Sequence, residues 1–342
     1  MKIAITADPV IPVPPKLYGG IERIIDMLIR GLLDKGHEVT LFAHPESSVS
    51  CNLIKYKGEN PSKISDTLNN MKQVASLKRL NYDIIHSFGR LAYLTMLMPT
   101  SLPKVMSYQR EPSIKMIRRA MRLSKKGSMH FTGCSGYIAD QIKPYAPAYA
   151  IPNGVPIKQY TFQESITEDA PLVFLGRIEH IKGTHLAIEV AQKSGRKLII
   201  AGNIPDDKKS KQYFDHQIKP HLNENIEYVG PVNDEQKNNL LGGAYAFLMP
   251  ILWNEPFGIV MAEALACGTP IIGMDRGSVP EVVRQGINGF RCNTVEEMVN
   301  AVLQIQGLKR KEARLIAENK FSDKCIVDAY ESLYFHLKNL KH

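Results

Sequence analysis

Short apolar runs alternate with longer segments in which apolar residues recur every three or four positions along the first half of the chain. The short runs predict strands at 2–7, 38–43, 82–86 and 104–108, and the longer period predicts a helix at 20–35. Regular alternation of strands and helices is typical of a parallel sheet covered by helices. The first half is therefore predicted to form an α/β domain.

The same pattern begins again at residue 172, after the turn-rich segment 151–156, which reads Ile-Pro-Asn-Gly-Val-Pro. A helix is predicted at 184–193, and strands are predicted at 172–176, 197–201, 226–229, 244–249 and 270–273. Because 342 residues suffice for two separate cores, we expect two Rossmann-like domains, at 1–157 and 158–324.

The composition is that of a soluble globular protein, since 44% of the residues are hydrophobic. No apolar run reaches the ~20 residues of a membrane span, and residues 1–5 begin a strand rather than a signal peptide, so we expect a cytoplasmic protein. The cysteines are odd in number, scattered and without a CxxC pair: Cys51, Cys134, Cys267, Cys292 and Cys325. They are expected to be free thiols, with neither a disulfide framework nor a zinc site.

The net charge of +9 is distributed unevenly. Residues 1–160 contain 22 Lys and Arg against 11 Asp and Glu, whereas residues 161–342 contain 21 against 23. A basic half indicates an anionic partner, such as a phospholipid surface, an anionic glycan, a lipid diphosphate or a nucleic acid, or it serves solubility alone. A nucleic acid is not expected, because no basic–aromatic recognition motif is present.

One basic segment, 114–126, has apolar residues at positions 114, 117 and 121 and basic residues on the remaining arc. It is predicted to form an amphipathic helix. Such a helix can lie on an anionic membrane, which would place the protein at the inner face of the cell membrane. The alternative is an ordinary domain helix whose apolar stripe lies in the core.

Two carboxylates, Glu255 and Glu263, stand eight residues apart around a loop that is predicted to begin a helix ending at Ala266. The segment follows the predicted strand 244–249, and open parallel sheets bind ligands beyond the carboxyl ends of their strands. Free amides at the helix start would favour a phosphate, and they belong to Gly258, Ile259 and Val260. The pair could therefore hold a nucleotide-sugar from both ends, or the two carboxylates could be solvated charges on one helix face.

Two cations, Arg177 and Lys182, follow the strand that ends at Gly176. Such cations can stabilise the charge that develops on a leaving diphosphate, although Lys182 alone could be a surface charge. Between the first strand and the first helix, Gly19 and Gly20 allow close approach of a phosphate to backbone amides, or they form a simple turn. The segment lacks the GxGxxG fingerprint, so a nicotinamide cofactor is not expected.

Together these motifs resemble the retaining glycosyltransferases of family 4. The resemblance covers nearly the whole chain and rests on 255–263 with its flanking Pro250 and Pro270, on the Gly-Arg-x4-Lys-Gly pattern at 176–183, and on the N-terminal glycine loop. It implies the GT-B fold, in which two Rossmann-like domains with parallel sheets face a central cleft. It also implies that the first domain is the acceptor side, that the second domain binds the donor, and that 325–342 packs back on the first domain.

The resemblance further implies transfer of a hexose-type sugar from a UDP- or GDP-sugar to a glycan, lipid-linked or small-molecule acceptor, without a divalent metal. Arg177, Lys182 and Glu255 would be catalytic. Glu263 would bind the ribose, and Glu255 would bind the sugar hydroxyls. The implied donor-binding set is Gly19, Gly20, Arg177, Lys182, Glu255, Phe257, Gly258, Ile259, Val260 and Glu263.

One departure from the family pattern lies at Gln109, where members commonly carry a histidine near the donor sugar. Glutamine can bind a sugar hydroxyl but cannot titrate. His86, at the end of another predicted strand, is a second possible sugar or acceptor contact, although a lone histidine there is more often structural. Two alternatives stay open: a catalytically idle nucleotide-sugar-binding or membrane-scaffolding protein, and a nucleotide-sugar epimerase or hydrolase of the same architecture.

Overall fold

The computed structural model describes residues 1–16, 19–58, 60, 62–79 and 81–340, without the side chains of 78 and 79. Leu17 and Tyr18 of the N-terminal glycine loop, and residues 341–342 of the predicted terminal segment, lie outside the described residues. The chain divides into two compact units, Met1–Gly154 with Asp323–His342, and Val155–Ser322. The domain limits predicted at 157 and 324 lie three and two residues from these divisions.

The described part of the first unit contains a parallel sheet of seven strands in the order β3-β2-β1-β4-β5-β6-β7. Ile3 of β1 pairs with Val39 on one side and Ile84 on the other, so the strand order reverses beside β1. The strands are β1 Lys2–Thr6, β2 Glu38–Ala43, β3 Asn52–Lys55, β4 Ile84–Ser87, β5 Lys104–Tyr108, β6 Met129–Gly133 and β7 Ala148–Ala150.

Helices cover this sheet: α1 Gly20–Asp34, α2 Ile64–Ala75, α3 Ile114–Leu123, α4 Gly136–Ile142 and the C-terminal helix Asp323–Asn339. The C-terminal helix packs against α1 so closely that a Cβ on Gly31 would lie 2.4 Å from Val327 Cγ2. Outside this contact, Glu331 Oε1 of the C-terminal helix lies 2.7 Å from His37 Nε2. The last helix is therefore an integral part of the first unit.

The described second unit contains a parallel sheet of six strands in the order β10-β9-β8-β11-β12-β13. Its strands are β8 Leu172–Leu175, β9 Leu198–Ala201, β10 Ile226–Gly230, β11 Ala246–Met249, β12 Ile271–Met274 and β13 Gly289–Cys292. Its helices are α5 Thr184–Ser194, α6 Lys208–Tyr213, α7 Asp234–Gly242, α8 Ile259–Ala266, α9 Val279–Val282, α10 Val295–Gln304 and α11 Arg310–Ile316.

The strand order of the second sheet reverses between β8 and β11, which pair through Leu172 with Ala246 and Val173 with Phe247. The connections from these two strands therefore run to opposite sides, which leaves a crevice beyond their carboxyl ends. None of the helices in the described ranges combines the length and the apolar composition that a membrane span requires.

Candidate functional site

The segments that follow β8 and β11 carry the charged residues singled out in the sequence, at the point where the strand order of the second sheet reverses. Lys182 Nζ, after β8, lies 2.5 Å from Glu255 Oε2, after β11. The indole N–H of Trp253 donates to the same oxygen at 3.0 Å, and the Lys182 ammonium lies 4.8 Å from the centre of the Trp253 ring. A cation and a carboxylate predicted from separate motifs therefore meet in one site.

Backbone contacts fix the two segments to each other. The N–H of Leu252 donates to the carbonyl of Ile181 at 2.9 Å. Gly183 has φ 74°, and a Cβ there would lie 1.9 Å from the carbonyl oxygen of Pro250. Because this left-handed position in close contact admits only glycine, the Lys-Gly pair at 182–183 holds the Lys182 side chain beside Glu255.

The turn at 277–278 is hydrogen-bonded to the loop that contains Glu255 and Phe257. The N–H of Ser278 donates to the Glu255 carbonyl at 2.9 Å, and Ser278 Oγ donates to the Phe257 carbonyl at 2.9 Å. Gly277 has φ 56°, and a Cβ there would lie 2.4 Å from the Glu255 carbonyl oxygen. The glycine turn is therefore a structural support for the site.

Helix α8 begins immediately after Gly258, whose φ of 70° allows the sharp entry into the helix. No side chain in the described part of the chain caps this helix start, and Gly258, Ile259 and Val260 are half-buried there. Uncapped amides at a helix start favour an anion. Phe257 is placed differently from its predicted role, because its side chain is buried and packs edge-on against Phe321 at 5.7 Å between ring centres.

Glu263 lies within α8 and binds two residues that the sequence patterns did not indicate. Its Oε1 accepts from the Tyr160 hydroxyl at 2.8 Å and from Lys237 Nζ at 2.5 Å. Lys237 also lies 3.3 Å from Asp234. Burial raises the pKa of Tyr160 most, and the negative charge of the Glu263 carboxylate raises it further. The phenol therefore stays protonated and acts as a hydrogen-bond donor. Tyr160 follows the turn-rich segment 151–156, and Lys237 lies in α7, most of whose residues are polar. Neither position belongs to a recognisable motif.

Both glutamates use only one of their oxygens within the described part of the chain. The bonds to Glu255 fall on Oε2, and those to Glu263 fall on Oε1. A carboxylate has about four acceptor positions, so each glutamate keeps an oxygen for a ligand. The protein cations orient these carboxylates and leave acceptor capacity at both.

Arg177 is more accessible than Lys182. Its Nη1 lies 2.9 Å from Glu179 Oε1, and 38% of its side chain is exposed, against 16% for Lys182. The guanidinium has five donors, so one ion pair leaves others available to a phosphate. Three predicted positions, Arg177, Lys182 and Glu255, thus belong to loops beyond β8 and β11.

His86 lies in the core of the first unit, at the end of β4. Its Nδ1 lies 2.6 Å from the Tyr334 hydroxyl and its Nε2 lies 2.6 Å from Ser107 Oγ. Burial lowers the pKa of His86 from 6.5 to about 3, so the ring is neutral. The side chain has no exposed surface, and this arrangement is that of a structural histidine rather than a sugar contact.

Gln109 follows β5 and pairs with Asn153, which the sequence patterns also did not single out. Asn153 Nδ2 donates to Gln109 Oε1 at 2.7 Å. Gln109 Nε2 and Asn153 Oδ1 are both buried, and neither has a hydrogen-bond partner among the described residues. A hydroxyl group could accept from the first and donate to the second.

Gly19 precedes α1, and Gly20 is its first residue. A Cβ on Gly19 would lie 2.6 Å from Pro15 Cβ and 2.8 Å from Glu22 Oε2, so packing alone explains this glycine. Glu22 is buried, and desolvation raises the pKa of its carboxyl. The glycines therefore lie at a helix start, as predicted, with a carboxyl group beside them.

The described residues contain no group of three or more His, Cys, Asp or Glu side chains placed to hold a metal ion. The ion pairs that the structure describes here join the cations of Arg177, Lys182 and Lys237 to the carboxylates of Glu179, Glu255, Asp234 and Glu263.

Two family models match nearly the whole chain between them. The model described as Glycosyltransferase Family 4 matches residues 18–159, and the model described as Glycosyl transferases group 1 matches residues 157–321.

Individual proteins are similar at lower identity. Spore coat protein SA of Bacillus subtilis is 23% identical over 98% of this chain and 99% of its own length. Glycogen synthase of Mycobacterium tuberculosis is 28% identical, but the match spans 56% of this chain and only 49% of that protein. Among solved structures, Anabaena Alr3699/HepE in complex with UDP and glucose superposes with a TM-score of 0.75 at 19% identity, over 98% of this chain and all of that one.

Proposed function

The chain belongs to the group 1 glycosyltransferases, and we propose that it moves a hexose from a nucleoside diphosphate sugar to an acceptor hydroxyl with retention of configuration. Membership in the family, the GT-B fold and the transferase class, all predicted from the sequence, are confirmed. The donor, the acceptor, the stereochemistry and the roles of single residues are the proposed part.

One observation supports the proposal above others: the Lys182–Glu255 pair lies in the segments that follow β8 and β11, where the strand order reverses. The Glu263–Lys237 pair joins α8, the helix that follows β11, to α7. A crevice at this point is the usual ligand site of an open parallel sheet. Here it offers cations for a diphosphate and oriented carboxylates for hydroxyl groups. These are the two kinds of group that a nucleotide-sugar presents.

In the proposed complex, Arg177, Lys182 and the amides at the start of α8 bind the diphosphate. Glu263 accepts from the ribose hydroxyls, and Glu255 accepts from the hydroxyls of the sugar. Lys182 lies 2.5 Å from Glu255, so a phosphate that binds Lys182 shares this cation with the carboxylate. Glu255 is then free to turn towards the sugar.

The proposed reaction breaks the bond between the anomeric carbon and the diphosphate oxygen. The acceptor hydroxyl attacks from the same face, and its proton passes to the leaving phosphate oxygen. Negative charge grows on the diphosphate as the bond breaks, so Arg177 and Lys182 stabilise the transition state more than the bound donor. Because protein cations carry this role, no divalent metal is required.

Calorimetric titration with UDP, UDP-glucose and GDP-mannose tests the donor site, and the HepE complex makes UDP the first ligand to try. We expect one of these ligands to bind, and we expect Arg177→Ala and Lys182→Ala to weaken its binding. The control is Lys193→Ala, which removes an exposed cation that pairs with Glu189 on α5. Failure of every nucleotide to bind the wild type, or equal binding by all variants, would refute the assignment.

A further inference from the structure

Helix α3 of the first unit has a surface that contains none of the residues proposed to bind the donor. Only Ile117 and Ala120 of this helix are buried. Two of its large apolar residues remain exposed, Met116 at 40% and Leu123 at 46%. We call the outer side the α3 surface, and it consists of Lys115, Met116, Arg118, Arg119, Arg122 and Leu123.

The cations of the α3 surface have no ion-pair partner among the residues that the structure describes. Lys125 and Lys126, which follow the helix, are also exposed and unpaired there. The Arg118 guanidinium lies 4.5 Å from the centre of the Tyr145 ring, a neutral partner that is itself 38% exposed. Elsewhere in the protein many exposed cations are paired, as Lys193 is with Glu189 and Glu296. The α3 surface therefore keeps its positive charge uncompensated.

The exposed apolar residues form a row beside the basic residues of the helix. Met116 and Leu123 are seven residues apart, which places them in one row along the helix. The arginines and Lys115 occupy the adjoining arc. A helix lying flat on a bilayer needs this arrangement, because the apolar row enters the interface while the cations reach the headgroups. A soluble polyanion would use the cations and gain nothing from the apolar row.

From this geometry we propose that α3 docks the protein on the surface of an anionic phospholipid bilayer. Uncompensated cations favour an anionic partner, and the apolar row selects the bilayer over a dissolved anion. The protein binds peripherally, through one helix of the first unit. The inference goes beyond the proposed donor site, which lies in the second unit, and does not depend on it.

Co-sedimentation with vesicles tests the proposal. The wild type should sediment with vesicles of equal parts phosphatidylglycerol and phosphatidylcholine at low salt, should stay in solution with phosphatidylcholine alone, and should be released by high salt. Replacing Arg118, Arg119 and Arg122 by Glu should lower the partition coefficient by at least about 100-fold. The control, Lys55, Lys57 and Lys72 to Glu, makes the same change of charge elsewhere in the first unit and should retain binding within about tenfold.

A second variant separates a bilayer from a dissolved anion. Replacing Met116 and Leu123 by Ser should lower vesicle binding by about tenfold with all charges kept. Binding to inorganic polyphosphate should not change. Wild-type protein that ignores the anionic vesicles would overturn the proposal, and so would vesicle binding that is insensitive to the loss of Met116 and Leu123. Titration with UDP should be the same for all variants, so failure of the donor site would be recognised separately.

Discussion

The Glu263–Lys237 pair allows a test that separates ligand binding from folding. Glu263→Gln keeps the shape of the side chain and removes its charge. Two bonds are affected, the one from Lys237 at 2.5 Å and the one from Tyr160 at 2.8 Å, and both carboxylate and ammonium are mostly buried. Lys237 keeps Asp234 at 3.3 Å as a partner, which limits the loss.

The magnitude follows from the exchange of a charged acceptor for a neutral one. Hydrogen bonds to charged groups contribute about 1.5–3 kcal/mol and neutral ones about 1 kcal/mol, so Glu263→Gln should lower the free energy of unfolding by about 1–2 kcal/mol. Lys237→Met removes the cation and should cost about 1–3 kcal/mol. Because the two side chains contact each other, the double variant should lose less than the sum, by about 0.5–2 kcal/mol.

The affinity for nucleotide should distinguish Glu263→Gln from Lys237→Met. If Glu263 accepts from the ribose, Glu263→Gln should weaken UDP binding by about 10- to 100-fold, because charge-assisted bonds are lost. Lys237→Met leaves the carboxylate charged and held by Tyr160, so affinity should fall by less than about fivefold. Urea unfolding and calorimetry measure both quantities, with Glu296→Gln, an exposed carboxylate on α10, as the control. Equal losses of affinity in the two variants, or none in Glu263→Gln, would refute the ribose assignment.

Further predictions concern the cations, a buried histidine and metal. Arg177→Ala and Lys182→Ala should each lower turnover by about two to three orders of magnitude with the fold unchanged; wild-type turnover would contradict their role. Because burial holds the pKa of His86 at about 3 against 6.5, the unfolded state takes up the proton first; stability is complete above pH 6.5 and falls by about 2 kcal/mol by pH 5. Urea unfolding of His86→Gln should lack this component. EDTA should leave sugar transfer unchanged, and loss restored by Mg²⁺ would refute metal independence.

The alternation of apolar runs and helical segments predicted most of the fold, because buried parallel strands are nearly continuous apolar runs. The predicted strand at 104–108 matches β5, and the predicted helix at 184–193 matches α5 within one residue. The pattern gave no indication of β3, β6 and β7 of the first sheet or of β13 of the second. Strand β6 is interior, but polar residues interrupt its sequence, Met-His-Phe-Thr-Gly, whereas β3, β7 and β13 lie at sheet edges. Edge strands are short and partly exposed, so they lack the apolar run that marks a central strand.

The candidate site was predictable only where it follows a local motif. Glu255, Glu263, Arg177 and Lys182 each stand at a fixed distance from a strand end and a glycine, which sequence spacing can indicate. Tyr160 and Lys237 could not be found this way, because they reach Glu263 from segments 103 and 26 residues distant in the chain. Only the packing of α7 against α8 brings Lys237 to its partner.

The pairing of Lys182 with Glu255 links the two halves of the proposed donor. Each group compensates the charge of the other in a mostly buried position, which avoids the cost of an isolated buried charge. A diphosphate that draws Lys182 away leaves Glu255 short of a cation, and sugar hydroxyls can then supply donors to it. A nucleotide-sugar should therefore bind more tightly than the free nucleoside diphosphate. The difference in affinity should exceed what the contacts of the sugar alone provide. In Glu255→Gln, which holds no charge to be released, UDP affinity should rise while the advantage of UDP-sugar over UDP should shrink.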